Sequence, residues 1–263
     1  MPDCDLRGTG ILVTRPTHQA AGLSALIESH QGRAVAFPGL EILPAKDPVL
    51  AKSNLQADVD FLIFVSPNAV VYGLQLLSGG LPNRPSLGAV GKGTAMALQK
   101  AGYTVDLMPA ERFDSEGLLA LPELQQVKGR KVVIVRGEGG RPLLADKLRG
   151  RGAEVFYAEV YRRACPSIDP GPLLAHWERD VQLVTTTSID VLLNLLHILG
   201  RRGRPILRQT PLLVISRRML EKAEELGFQS ILRAQGAGDE AILARLCEWV
   251  AGRDQSRVKS VHE

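Results

Sequence analysis

The 263-residue sequence is poor in the features that mark a membrane protein, a secreted protein or a metal enzyme. No apolar run approaches the roughly 18–20 residues needed to span a bilayer. The opening, Met1-Pro2-Asp3-Cys4-Asp5, lacks the basic and apolar regions of a secretory signal. Cysteines number three, Cys4, Cys165 and Cys247. They are widely separated and odd in number, so neither a metal spacing nor a disulfide framework is expected, and a reducing cytoplasm is the simplest setting. The five histidines, His18, His30, His176, His197 and His262, are scattered, so no metal site is expected either. Charge of one sign is scarce as well: 32 Lys and Arg against 28 Asp and Glu leave +4. So small an excess suits a polyanionic ligand, but a dispersed basic surface fits it better. No nucleic-acid partner is expected.

Familiar nucleotide and hydrolase motifs are also missing. Gly137-Glu138-Gly139-Gly140 follows an apolar run, yet it lacks the full G-x-G-x-x-G spacing and a clearly placed acidic residue about 20 positions on. Gly91-Lys92-Gly93-Thr94 resembles half of a P-loop. Ser86 stands where the first glycine belongs, and Gly93 where the Ser or Thr belongs. No G-x-S-x-G elbow occurs, and no local motif suggests a Ser/His/Asp or Cys/His set.

What the chain does have is internal similarity. Ile11-Leu-Val-Thr-Arg15 and Val132-Val-Ile-Val-Arg136 each open a unit, 132 − 11 = 121 residues apart. Helix-patterned stretches follow, with Leu23 matching Leu144, then Gly32 and Gly152, then the extended runs 34–38 and 154–158. Phe61-Leu-Ile-Phe-Val-Ser66-Pro-Asn68 parallels Leu183-Val-Thr-Thr-Thr-Ser188-Ile-Asp190, each a strand running into a helix N-cap. Leu87-Gly-Ala-Val-Gly91 parallels Leu212-Leu-Val-Ile-Ser216. The helices after these stop at Gly102-Tyr103 and Gly227-Phe228, a C-cap signal used twice. Short strands at 105–108 and 230–233 and helices beginning at Glu116 and Glu240 complete the pairs.

Alternating strands and helices predict an α/β fold with parallel sheets covered on both faces. The expected architecture is two flavodoxin-like, doubly wound lobes related by internal duplication and joined by a two-stranded linker. Proline punctuation sets the boundaries: 1–37 with 165–263 as a discontinuous first lobe, 44–157 as the second, and 38–43 and 158–164 as linker strands. The polar stretch after about Gly252 is expected to fray.

Ligands of open α/β sheets bind at the carboxyl ends of the strands. The loops there are Thr14-Arg15, Ser66-Pro-Asn68, Gly91-Lys-Gly-Thr94, Arg136-Gly-Glu-Gly-Gly140, Thr185-Thr-Thr-Ser188 and Ser216-Arg-Arg218. Helix N-termini at such loops present N–H groups and a positive dipole end, each worth about 0.3–1 kcal/mol for an anion. Together they favour a ligand rich in carboxylate or phosphate.

These residues resemble the uroporphyrinogen-III synthase family over about 11–246. The resemblance rests on Ile11-Leu-Val-Thr14-Arg15-Pro16, Phe64-Val-Ser66-Pro67-Asn68-Ala69-Val70, Ala89-Val90-Gly91 with Thr94-Ala95, and Ser115-Glu116-Gly117-Leu118. Val135-Arg136-Gly137 with Leu144 and Leu148, Val160-Tyr161-Arg162, and Thr187-Ser188 complete it. The order of these motifs is more specific than any one of them. The resemblance implies two α/β lobes with the active site in the cleft between them. It implies a cofactor-free lyase that closes hydroxymethylbilane, a linear tetrapyrrole with eight carboxylates, into uroporphyrinogen III.

In the mechanism that the resemblance implies, the hydroxyl leaves as water and an azafulvene cation forms. The far ring attacks through its substituted carbon, and a spiro intermediate recloses with the last pyrrole inverted. Tyr161 matches the family's tyrosine assigned as general acid. Thr14, Arg15, Ser66, Asn68, Gly91, Thr94, Thr187 and Ser188 carry over as substrate-binding positions, most of them through backbone N–H groups. Arg136 and Ser216 belong to the same loops. The sequence departs from relatives that carry Gly-Pro-Thr-Thr where Ser216-Arg217-Arg218-Met219 stands, so Arg217 and Arg218 are expected to take carboxylates there. A monomer is implied, as is transient contact with the preceding pathway enzyme. Two other readings compete: a two-lobe tetrapyrrole- or anion-binding regulator without catalysis, and an unrelated bilobal solute binder. The intact Tyr161 argues against the first, and the duplicated pattern and missing signal against the second.

Overall fold

The computed structural model describes residues 4–77, 80–81 and 84–259. Met1–Asp3 and the last four residues, with His262, lie outside them. Ten strands follow in chain order: β1 Gly10–Val13, β2 Arg33–Ala36, β3 Glu41–Pro44, β4 Phe61–Phe64, β5 Ser86–Ala89, β6 Lys131–Gly137, β7 Glu154–Ala164, β8 Leu183–Thr185, β9 Leu212–Val214 and β10 Ile231–Arg233. They form two five-stranded sheets, ordered β10-β9-β8-β1-β2 and β3-β7-β6-β4-β5. Apart from the β3–β7 neighbours, the strand pairs are parallel. The chain divides into two compact units, Met1–Glu41 with Ala164–Glu263, and Ile42–Arg163.

Strand periodicity explains the layers. Successive side chains point to opposite faces, so a strand apolar at every position needs cover on both sides. In the first unit Leu12 packs into a core with Val184, Leu195 and Trp177. Its neighbours Ile11 and Val13 pack on the other face, against Leu23, Ile242 and Leu246 of helices 17–29 and 239–259. The second unit repeats this arrangement. Leu62, Phe64, Val133 and Val135 share one core, while Ile63, Val132 and Ile134 share the other with Leu144 and Leu148.

Both glycine stops hold. Gly102 and Gly227 have φ of 87° and 83°. The following N–H groups of Tyr103 and Phe228 reach back to the carbonyls of Leu98 and Ala223, closing the ends of their helices.

Three expectations need correction. The strand expected at 105–108 is reduced to a single bridge between Gly88 and Leu107. There the Asp106 carboxylate takes the Leu87 N–H at 2.7 Å, a bond the ladder would otherwise use. Of the stretch expected to fray after Gly252, the residues up to Lys259 continue the last helix, and 260–263 lie outside the described residues. Cys4 and Cys247, expected to stay apart, are joined as a disulfide with Cα atoms 5.7 Å apart. Their 243 residues of separation hide the pairing from the sequence. Among the described residues no helix is long and apolar enough to cross a membrane.

Candidate active site

In the second unit the carboxyl ends of β4, β6 and β7 bring together three of the expected residues. Ser66 follows β4 in extended conformation (φ −161°, ψ 160°) and caps helix Pro67–Leu76, its Oγ accepting the Ala69 N–H at 3.1 Å. Pro67 opens that helix, where the N–H it lacks would have no intrahelical partner.

Tyr161 lies on β7 at an irregularity. Arg136 of β6 pairs with Glu159, but the next residue, Gly137, pairs with Tyr161, leaving Val160 as an extra residue. In a regular strand Val160 and Tyr161 would face opposite ways. The bulge turns both into the same core. Tyr161 is 2% exposed, its ring centroid lies 6.0 Å from that of Tyr72, and its hydroxyl lies 3.2 Å from Ser66 Oγ. A Cβ on Gly137 would stand 2.6 Å from Cε2 and Cζ of the tyrosine ring. The glycine at this strand end therefore makes room for Tyr161.

Arg136 is buried, its side chain 7% exposed, with Nε 3.6 Å from the Glu159 carboxylate. Nε–H donates to the Gly137 carbonyl at 3.2 Å and Nη1 to the Arg141 carbonyl at 3.3 Å. The guanidinium lies 4.5 Å from the centroid of Tyr157. The 137–141 loop thus wraps a buried cation, closely enough that a Cβ on Gly140 would reach within 2.6 Å of Nη2.

A cavity of about 340 Å³ opens at this edge, walled by Arg136, Arg141, Arg163, Tyr161, Ser115 and the glycines of the loop, over Val65, Ile134 and Leu144. Three guanidiniums and no carboxylate line it, a composition that binds carboxylates through paired N–H···O bonds. Arg163, with Cζ 5.8 Å from the Tyr161 ring centroid, was missed in the sequence, although period-two alternation from Tyr161 would have found it. Arg141 and Ser115 carried no such signal. A larger cavity of about 700 Å³ in the same unit is lined by Asp47, Glu138 and Glu159 with one lysine, Lys46. Its charge has the wrong sign for a polyanion.

Known proteins similar to this chain identify its family. The family model described as uroporphyrinogen-III synthase HemD matches residues 21–244. The uroporphyrinogen-III synthase of Escherichia coli (strain K12) is 35% identical over 90% of this chain and 99% of its own length. That of Salmonella typhimurium is 34% identical over the same shares. The chain belongs to the uroporphyrinogen-III synthase family. Crystal structures of two such synthases share its fold. A mutant from the extremely thermophilic bacterium Thermus thermophilus has TM-score 0.54 and 19% identity, covering 95% of this chain and 100% of its own. That of Helicobacter pylori 26695 has TM-score 0.56 and 18% identity, covering 83% and 92%.

The other positions carried over from the synthase family do not line this cavity. Asn68 is in the first turn after Ser66, Gly91 caps helix Lys92–Lys100, and Thr94 is buried in that helix. In the first unit the Thr14 hydroxyl donates to the Thr185 carbonyl at 2.6 Å, and the Thr185 hydroxyl to the Leu12 carbonyl at 3.0 Å. These hydroxyl protons stitch β1 to β8. The Arg15 guanidinium is ion-paired with Asp239 and donates to the Ala237 carbonyl at 2.8 Å, fastening the first loop to the start of the last helix. Ser188, preceded by Thr187, accepts the Val191 N–H at 3.2 Å, and Ser216 the Met219 N–H at 3.3 Å, so both are helix caps. Arg217 is 85% exposed beside Glu221, and Arg218 is exposed as well. Among the described residues no cluster of His, Cys, Asp and Glu could hold a metal ion.

Proposed function

We propose that this chain closes hydroxymethylbilane into uroporphyrinogen III, losing one water and inverting the last pyrrole ring. The observation that carries this reading is the Tyr161 hydroxyl, held by Ser66 beside a cavity walled by three guanidiniums. Arg136, Arg141 and Arg163 anchor acetate or propionate groups of one end of the chain. Tyr161 gives its proton to the departing hydroxyl, which leaves as water. The azafulvene cation is attacked by the substituted carbon of the far ring, and the spiro intermediate fragments and recloses. The proton released when the ring regains aromaticity returns to the Tyr161 oxygen, so the enzyme ends unchanged. Nothing is oxidised or reduced in this sequence, and it needs no cofactor. The protein's contribution is to orient flexible ends and keep a reactive cation from water.

The helix-capping loops of the first unit, with Thr187, Ser188, Ser216, Arg217 and Arg218, take further carboxylates in this reading, as do Asn68, Gly91 and Thr94 in the second. Thr14 holds the first of those loops through the Thr185 carbonyl, and Arg15 fastens its own loop to the start of the last helix. We also infer that the two units arose by duplication, with residues around 38–43 and 158–164 as the linker. Two things support this: the 121-residue offset, and matching strand walks β2-β1-β8-β9-β10 and β7-β6-β4-β5 followed by Leu107. The protein acts as a monomer in the cytoplasm, in transient contact with the enzyme supplying its substrate. Hydroxymethylbilane given to the purified protein yields the type III isomer. Type I alone, at the spontaneous rate, refutes the proposal and leaves a binding module.

A further inference from the structure

Ser66 uses one oxygen for two purposes. It accepts the Ala69 N–H at 3.1 Å and lies 3.2 Å from the Tyr161 hydroxyl. A serine hydroxyl has two lone pairs and a single proton. The cap consumes a lone pair and leaves the proton to be placed. If Tyr161 donated to Ser66, the phenol proton would be tied up against the helix cap, away from any substrate. If Ser66 donates to Tyr161, the phenol oxygen is held while its own proton is free to turn to the cavity that Tyr161 lines.

We propose that Ser66 donates its hydroxyl proton to the Tyr161 oxygen and so aims the tyrosine proton into the arginine-walled cavity. Ser66 is then a positioning residue that acts through Tyr161, and not a carboxylate ligand. The bulge at Val160 completes the device. A ladder in regular register would point Tyr161 to the opposite face of the sheet from Val160, whose core includes residues of the helix that Ser66 caps.

This inference rests on Tyr161 being the acid, and the test separates the two ideas. Ser66→Gly removes the hydroxyl, and glycine is tolerated at a helix N-cap. Ser66→Thr restores both the cap and the donor. Steady-state kinetics with hydroxymethylbilane are compared for these variants, for Tyr161→Phe, and for the double variant Ser66→Gly with Tyr161→Phe, alongside circular-dichroism melting. The expected result is a kcat about 10- to 100-fold lower in Ser66→Gly, a fraction of the 10²–10⁴-fold typical of general acid catalysis. KM should stay within about threefold, Ser66→Thr should recover kcat to within a few-fold, and Ser66→Gly should cause no further loss in the Tyr161→Phe background. A full kcat in Ser66→Gly, an equal extra loss in the Phe background, or a raised KM with unchanged kcat would each overturn the inference. A Tyr161→Phe enzyme with undiminished kcat would instead remove the acid role itself.

Discussion

At the scale of single residues, Tyr161→Phe deletes one oxygen from a buried ring and leaves its packing against Tyr72 in place. Turnover should fall by about 10²–10⁴, with product affinity measured by equilibrium titration nearly unchanged. Equal loss in both would mean that the hydroxyl binds and does not react. Gly137→Ala is a sharper probe of geometry. Its Cβ would stand 2.6 Å from two ring carbons of Tyr161, an overpacking of the kind that costs about 1–3 kcal/mol. The variant should lose turnover as Tyr161→Phe does while keeping a wild-type far-ultraviolet circular dichroism spectrum. Retained activity would show that the ring position is unimportant. Tyr161 was legible in the sequence through its neighbours Val160 and Arg162. The reason for Gly137 was not, because it arises from a shift of register between strands 24 residues apart, 161 − 137, which no local pattern records. Thr14 shows the converse. It stood out as a polar residue at a strand end, yet its hydroxyl proton goes to the Thr185 carbonyl, a partner 171 positions away.

At the scale of elements, caps and stops were readable because they are local. Ser66, Ser188 and Ser216 each accept a backbone N–H three residues on, and Gly102 and Gly227 each turn with positive φ. The helix that Ser188 caps breaks at Gly200, with φ 59°. Pairings between distant elements were not readable. The disulfide ties the segment before β1 to the last helix across the buried Leu6 and Leu246. Bonds closing long loops typically contribute about 2–4 kcal/mol. A thiol reductant should therefore lower the melting temperature of the wild-type protein but not of Cys247→Ser, with kcat at 25 °C unaffected. Identical melting with and without reductant would show that helix packing alone holds this end.

At the scale of the whole molecule, alternation of short apolar runs with helical patterns sufficed to predict parallel α/β sheets, because both periodicities are imposed by burial on two faces. The charge told less. A net +4 spread over 263 residues said little, whereas placing Arg136, Arg141 and Arg163 around one cavity beside Tyr161 says a great deal. The central claim is that this arrangement steers ring closure and does more than bind. Hydroxymethylbilane closes by itself to the symmetrical type I product, so the ratio of isomers reports steering independently of overall speed. The most direct measurement is that ratio, by chromatography after oxidation to porphyrins, across a series of protein concentrations. The account predicts that the type III fraction rises with protein until type I is nearly gone, and that Tyr161→Phe needs far more protein to reach the same fraction. A ratio that stays at the spontaneous value however much protein is added would contradict it.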